Sequence, residues 1–344
     1  MSDVHHFGAH IVGVGQPRPT AMALNALGST GLPVSPLGLG LAALGRPAYI
    51  NVGRTDDLGG DRSIEELERR CHAMLDAAYE SGIRYVDVAR SYGLAESFLA
   101  SWLSKRQLPQ DAVTVGSKWG YSFVGGWRMD APVHELKDLS ANHLKKQVVE
   151  SRAILGDWLK LYQIHSATLE SGVLDDLEVL RTLAALRAEG LVIGVTVSGP
   201  RQSDAIRRAS LIQIDGTRLF QVVQATWNLL EPSAASALAE ASALGLGVII
   251  KEALANGRLT CRADSLPDSL RAFARDQQTT VDVVGIAAAL SQPWVDVVLS
   301  GAVTPEQLVS NVSALSLAGN IPDIPNVAQT PEEYWTHRAA LAWQ

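Results

Sequence analysis

The chain has 344 residues, 47% of them hydrophobic, with 29 basic against 36 acidic side chains and a formal charge of −7. That is enough for a single closed α/β barrel of roughly 250 residues plus insertions, and the mild acidity, without a long run of one sign, argues against nucleic acid or an anionic membrane as partner. Cys71 and Cys261 stand in no metal-binding or disulfide-framework spacing, which fits a reducing, cytoplasmic setting, and no apolar stretch approaches the roughly 18 residues of a membrane span, so neither a span nor a signal peptide is expected.

Residues 1–24, rich in Gly, Pro and His, read as a loose extension; His5, His6 and His10 there make a disordered tail rather than a metal site. A short hairpin is expected near Leu27 to Val34. Strand-length apolar runs then alternate with amphipathic stretches across a single domain, residues 25–320. The runs are Leu37–Leu44, Ile83–Asp87, Ala112–Lys118, Leu159–His165, Leu191–Val197, Phe220–Ala225, Gly247–Lys251 and Val295–Ser300. Helical patterns occupy Ser63–Ser81, Ala95–Lys105, Asn142–Leu155, Asp176–Glu189, Ser233–Leu244 and Pro305–Leu317. Ser63 with Glu66 fits a capping box, and Gly82, Gly190 and Gly245 follow helices as C-terminal caps do. The rhythm predicts a (β/α)8 TIM barrel with the short N-terminal hairpin and long loops at the C-terminal face. An open doubly wound sheet would carry GxGxxG after its first strand, but Gly38 and Gly40 lack the third glycine. The longest insertions are 119–140, with Trp119, Tyr121, Phe123 and Trp127, and 252–266. Residues 321–344 read as a C-terminal tail, whose Trp335 and Trp343 either cover the barrel mouth or pack on the surface.

Three successive strand runs lead into titratable groups: Asp87 with Tyr92 just beyond it, Lys118, and His165. Strand C-termini are where parallel α/β proteins place their chemistry. A phenol titrates near ~10, and an adjacent ammonium lowers that value by favouring the phenolate. Asp87 pairs with Lys118 in this reading, Tyr92 exchanges a proton with a carbonyl oxygen, and His165 orients the same oxygen. Hydride must then come from a nicotinamide or similar cofactor. The plain structural alternatives are a buried Asp87–Lys118 ion pair, a packed Tyr92 and a satisfied strand-end His165.

The Asp-x-Ala-x-x-Tyr-Gly segment at Asp87–Gly93, the strand ending in Lys118, the Tyr-Gln-Ile-His segment at Tyr162–His165 and the Ser300–Asn311 segment together resemble the aldo-keto reductase family, from about Leu37 to Leu317. The resemblance implies an extended NADP(H), with NAD(H) as the second choice, across the top of a metal-free barrel. It implies catalytic roles for Asp87, Tyr92, Lys118 and His165. It implies cofactor contacts from Gly40 and Leu41, from Gln224 at the nicotinamide, from Leu254, Asn256 and Gly257 at the pyrophosphate, and from Gly301, Val303, Gln307 and Asn311 at the adenosine, where a helix N-terminus favours phosphate. Trp119, Tyr121 and Trp127 are expected along the substrate, a small-molecule aldehyde, ketone, sugar or alcohol.

Departures from the family pattern are specific. Gly194-Val195-Thr196-Val197 replaces the usual Gly-Val-Ser-Asn, so Thr196 or Ser198 stands in for the amide. Lys251 stands where an aromatic usually stacks on nicotinamide, with Trp227 as the substitute face. Arg201, Arg258 and Arg262 are the candidates for a 2′-phosphate. These departures leave room for a cofactor-sensing binding subunit resembling potassium-channel β subunits, and a third reading is a lyase or isomerase on the same barrel that uses Tyr92 and Lys118 without external hydride. No feature of the sequence points to an oligomeric state.

Overall fold

The computed structural model describes residues 22–344 except Asp264. The expected N-terminal extension, with His5, His6 and His10, lies outside the described residues apart from 22–24. Eight parallel strands close a barrel in sequential order. They are β1 (Leu37–Gly40), β2 (Tyr85–Asp87), β3 (Thr114–Trp119), β4 (Leu159–Ala167), β5 (Val192–Val197), β6 (Val222–Thr226), β7 (Gly247–Lys251) and β8 (Val297–Ser300), with β8 pairing back onto β1. The outer ring is α1 (Ile64–Glu80), α2 (Ala95–Arg106), α3 (Ala141–Leu155), α4 (Leu177–Ala188), α5 (Gln202–Ser210), α6 (Ala235–Ala243), α7 (Val281–Leu290) and α8 (Pro305–Leu317). The fold is the (β/α)8 TIM barrel that the alternating pattern implies.

The two-residue period of the strands decides what the barrel encloses. Tyr85, Leu161, Val192, Val222, Ile249 and Val297 form an apolar layer in the barrel interior, separate from the larger core between strands and helices. The expected hairpin, Asn25–Ala26 against Pro33–Val34, brings Leu27 and Val34 into that layer and plugs the base. Two residues further along the same strand faces stand Asp87, Gln163, Gln224 and Lys251, so strand parity converts the apolar floor into a polar layer at the top. Glycines make room for the large members: a Cβ on Gly116 would lie 2.5 Å from the Tyr85 hydroxyl, and one on Gly38 2.8 Å from the Tyr85 ring.

Five of the eight strands start one or two residues later than the apolar runs suggest. Ile83, for example, donates its N–H back to Ala78 at 2.9 Å, so it closes the end of α1 before β2 begins. Several elements lie outside the expected pattern. A hairpin, Tyr121–Phe123 against Glu135–Lys137, follows β3. Helices Arg54–Leu58, α5, Asp268–Asp276 and α7 lie outside the six helical stretches named from the sequence, although the barrel rhythm implies a helix after the fifth and seventh strands. Almost all of α7 is buried, so it shows no polar face from which a helical period can be seen. Residues 321–344 include a helix, Pro331–Ala339, with Pro at its first turn and a capping box between Thr330 and Glu333.

Gly28 adopts φ +51°, and a Cβ there would sit 2.3 Å from the Gly247 backbone nitrogen. Gly28→Ala is therefore expected to cost about 1–3 kcal/mol through backbone strain alone, more with the clash. A urea unfolding midpoint equal to that of the unaltered protein would remove the hairpin from the list of structural constraints.

Candidate active site

Asp87 ends β2, and the chain then turns so that the Tyr92 N–H bonds the Ala89 carbonyl at 3.0 Å and Leu94 N–H bonds Gly45 O at 2.7 Å. Gly93, with φ +62°, permits this approach, because a Cβ there would meet Gly45 O at 2.4 Å. Lys118 comes from β3, paired to β2 through Asp87 opposite Gly116. His165 lies on β4 just before an irregularity in the β4–β5 register, where Ser166 takes φ +56° and donates its N–H to Thr196 Oγ1 at 2.7 Å.

These four residues converge. Lys118 Nζ pairs with Asp87 Oδ1, donates to the Val88 carbonyl at 3.0 Å and to the Tyr92 hydroxyl at 3.3 Å. The Tyr92 hydroxyl lies 3.4 Å from His165 Nε2, and His165 Nδ1 is 3.5 Å from Ser91 Oγ. Asp87 Oδ2 also accepts from the Tyr85 hydroxyl at 3.1 Å and from Gln224 Nε2 at 2.9 Å. Asp87 and Lys118 are 2% and 1% exposed, so this is an ion pair sealed beneath Tyr92.

The electrostatics correct one expectation. Burial, reinforced by the Asp87 carboxylate, raises the Tyr92 phenol well above its ordinary value, while Arg46 works in the opposite direction. Burial and the Asp87 carboxylate thus leave Tyr92 holding its proton at neutral pH, where an adjacent ammonium alone would favour the phenolate. Burial, then the cations Lys118, Lys251 and Arg46, hold His165 well below its usual range and keep it uncharged.

Tyr92, Asp87 and His165 open onto a cavity of about 660 Å³ that runs across the barrel top, a size typical of ligand sites. Gly40, Ser198, Gln224, Lys251 and Tyr121 line its inner part, with the Tyr121 ring 5.0 Å from that of His165. Leu254, Asn256, Gly257, Gly301, Val303, Gln307 and Asn311 line the remainder. Five expected cofactor or substrate contacts lie elsewhere. Leu41 and Trp119 are fully buried in the strand–helix core, because they sit on the opposite strand parity. Thr196 is buried and spends its oxygen on Ser166. Trp227 packs edge-on against Trp294 at 6.0 Å. Trp127 donates its indole N–H to Arg62 O at 2.8 Å and packs on Phe98, anchoring its loop.

The sequence reading missed a charged rim. Arg46, 1% exposed, donates to Glu135 at 2.7 Å, with its guanidinium 5.1 Å from the Tyr92 ring and 5.0 Å from that of Trp343. Trp343 stacks on His134 at 4.2 Å, and it and Trp335 line the cavity, the first of the two places the sequence left open for them. Arg338 grips Glu252 through Nε at 2.9 and 3.0 Å. Burial opposes ionisation of Glu252, yet Arg338 and Lys251 hold its carboxyl down to about 2. Lys251, which donates to Thr226 Oγ1 at 3.0 Å, is lowered by burial to about 8. The signal for Arg46 was a lone arginine directly after the apolar run of β1.

The model of the aldo/keto reductase family matches residues 37–329. The chain belongs to the aldo/keto reductase family. Its relatives include the NADH-specific methylglyoxal reductase of Escherichia coli, 25% identical over 85% of this chain and 93% of that protein. A D-threo-aldose 1-dehydrogenase of a Pseudomonas species is 27% identical over 81% and 91%. A crystal structure described as an aldo-keto reductase from Pseudomonas aeruginosa superposes with a TM-score of 0.61 at 25% identity, covering 86% of this chain and 96% of its own. A Bacillus halodurans aldo-keto reductase in its holo form shares the fold, with a TM-score of 0.63, 22% identity and 94% and 97% coverage. The chain is thus an oxidoreductase by family. No helix among the described residues is long and apolar enough to cross a membrane, and no metal-ligand cluster is present among them.

A histidine kept neutral by burial costs stability once acid protonates it in the unfolded chain. Because the folded pKa lies below the ordinary 6.5, that contribution is complete above pH 6.5 and is lost as pH falls. Between pH 7 and 5, His165→Gln is expected to lose less melting temperature than the unaltered protein. Parallel melting curves for the two would show that His165 titrates normally.

Proposed function

We propose that the protein is an NAD(P)(H)-dependent carbonyl reductase or alcohol dehydrogenase with Tyr92 as general acid and base. The observation that carries this reading is the Tyr92 hydroxyl, 3.3 Å from Lys118 Nζ and 3.4 Å from His165 Nε2, with Tyr92 lining the cavity at the barrel top. A bound nicotinamide supplies or accepts the hydride that no side chain provides.

The groove fits a dinucleotide on features of this chain. Asn256 Oδ1 is buried in the groove wall with no hydrogen-bond partner, an acceptor that a ribose hydroxyl would satisfy. Gly257, at φ +91°, packs its backbone against Val52, where a Cβ would lie 3.0 Å from Val52 O, and so holds the Asn256–Gly257 turn in the groove wall. The N-terminus of α8, capped by Thr304, opens beside Val303, and the positive end of its dipole favours a phosphate there. Gln224 spends its amide N–H on Asp87 and keeps its carbonyl for a carboxamide N–H.

In the reducing direction the protonated Tyr92 donates to the carbonyl oxygen as negative charge grows on it, and in the oxidising direction it takes the proton back. Lys118 lies close enough to stabilise the transient phenolate, and Asp87 holds the ammonium at that post. A neutral His165 in the Nε2–H tautomer, with Nδ1 accepting from Ser91 Oγ, adds a second donor for the same oxygen. The relatives are named for methylglyoxal and aldoses. The mixture of Tyr121, Trp343 and charged pairs around Tyr92 supports a small polar aldehyde, ketone or sugar here.

Tyr92→Phe should lower turnover about 10²–10⁴-fold, the usual weight of a positioned acid or base, while NADH and NADPH titrations by nicotinamide fluorescence stay near those of the unaltered protein. Retention of near-normal turnover would end this mechanism. Fast multiple turnover by the unaltered chain would also dispose of a purely cofactor-sensing role.

A further inference from the structure

The end of the groove away from Tyr92 carries an unusual charge arrangement. Asp57, on the short helix Arg54–Leu58, has a side chain only 8% exposed and lines the groove. One of its oxygens pairs with Arg262, and the other accepts the Gln307 amide at 2.7 Å. Gln307 in turn caps the turn below it by accepting the Val303 N–H at 3.0 Å. Arg262 is held further by the Gly53 carbonyl at 3.0 Å and lies 3.7 Å from Asp56. Asp282 also lines the groove and accepts from Ser310 at 2.6 Å, three residues past Gln307 on α8. Asp56 and Asp57 therefore share the Arg262 guanidinium, and Asp282 adds a third carboxylate to the groove lining.

Arg201 and Arg258, the other two 2′-phosphate candidates, and the neighbouring Arg54 are committed elsewhere. Arg201 pairs with Glu170 on the exposed surface. Arg258 donates to Gln329 at 2.8 Å with its guanidinium 5.2 Å from the Tyr334 ring. Arg54 is buried and directs its donors to the carbonyls of Ala43, Arg46, Pro47 and Gln344.

NAD(H) and NADP(H) differ at one position, where a neutral ribose 2′-hydroxyl is replaced by a phosphate of about −1.5 to −2 charge. A carboxylate accepts a hydrogen bond from the hydroxyl but repels the phosphate, which needs a free cation. We propose that Asp57 makes this groove selective for NAD(H) over NADP(H), and that Arg262 is a 2′-phosphate ligand held out of use by Asp57. This selectivity rests on the dinucleotide reading above and reverses the NADP(H) preference that the sequence suggested.

The test titrates the purified full chain with NADH and NADPH by nicotinamide fluorescence, with thermal melts as folding controls. The unaltered protein should bind NADH about tenfold or more tightly than NADPH. Asp57→Asn removes one negative charge and loosens Arg262, so the ratio should move toward NADPH by about tenfold. Adding Arg262→Ala to that variant should erase the gain. Equal or tighter NADPH binding by the unaltered protein would overturn the proposal, as would an unchanged ratio in folded Asp57→Asn. Should that variant not fold, competition against NADH on the unaltered protein decides: adenosine 2′,5′-bisphosphate competing as well as AMP overturns the proposal. Equal binding of both dinucleotides would leave the reductase reading standing, whereas binding of neither by folded protein would end both.

Discussion

A lysine ammonium enclosed within a barrel must be compensated, and the top of this molecule is organised around how Lys118 meets that requirement. Moving each ion of such a pair out of water costs several kcal/mol, which is recovered only when every remaining donor and acceptor finds a partner. Asp87 is saturated by Lys118, Tyr85 and Gln224, and Lys118 in turn reaches Val88 O and Tyr92. The partners come from β2, β3 and β6, so the ion pair ties together strands far apart in the chain. Tyr92 is held at the edge of this network rather than within it, with its hydroxyl facing the cavity and its proton retained. Loss of either charged partner would leave the other buried and uncompensated, a penalty of about 3–5 kcal/mol.

The rim above obeys the same rule with less burial. Arg46 is matched by Glu135 and Arg338 by Glu252, so guanidiniums stand near the cavity without opposing one another. Lys251 has no carboxylate of its own, since it lies 3.8 Å from a Glu252 already gripped by Arg338, and burial lowers its proton affinity accordingly. Burial first, then Lys118, Lys251, Arg46 and Lys137, keep the neighbouring His165 uncharged. A low-dielectric cavity strengthens each of these terms relative to water.

Closure of the cavity depends on contacts between distant segments. Val52 donates to Asn256 O at 3.0 Å, and Tyr49 and Gln344 exchange backbone hydrogen bonds at 2.9 and 2.8 Å. Arg262 clasps Asp57 beside the first of these, and Trp343 reaches Arg46 and His134 beside the second. The loop after β1 therefore serves both walls, meeting the β7 loop at one end of the groove and the C-terminal segment at the other.

Alternation of strand and helix patterns was enough to specify the barrel, because period two and period 3.6 are written directly in the order of apolar residues. Asp87, Lys118 and His165 were legible for the same reason: each ends an apolar run, and strand ends converge in a parallel barrel. Parity also separates Asp87, Gln224 and Lys251, which share the interior face with Tyr85, Val222 and Ile249, from Trp119, which alternation sends to the helix side; the aromatic content of its loop obscured that. Other features have no local signature. The protonated state of Tyr92 follows from burial and from the nearby carboxylates, Asp87 first, which come from separate parts of the chain. The commitment of Thr196 to Ser166 arises from a register shift that no residue pattern marks. The Asp57–Arg262 pair joins positions 205 residues apart. What the sequence by itself determined was which side chains face inward and at which level, since backbone periodicity is a local property. Which charges meet, and therefore which groups stay ionised or hold a proton, was decided only by the tertiary structure, because electrostatic energy depends on distance in space and on the water excluded between the groups.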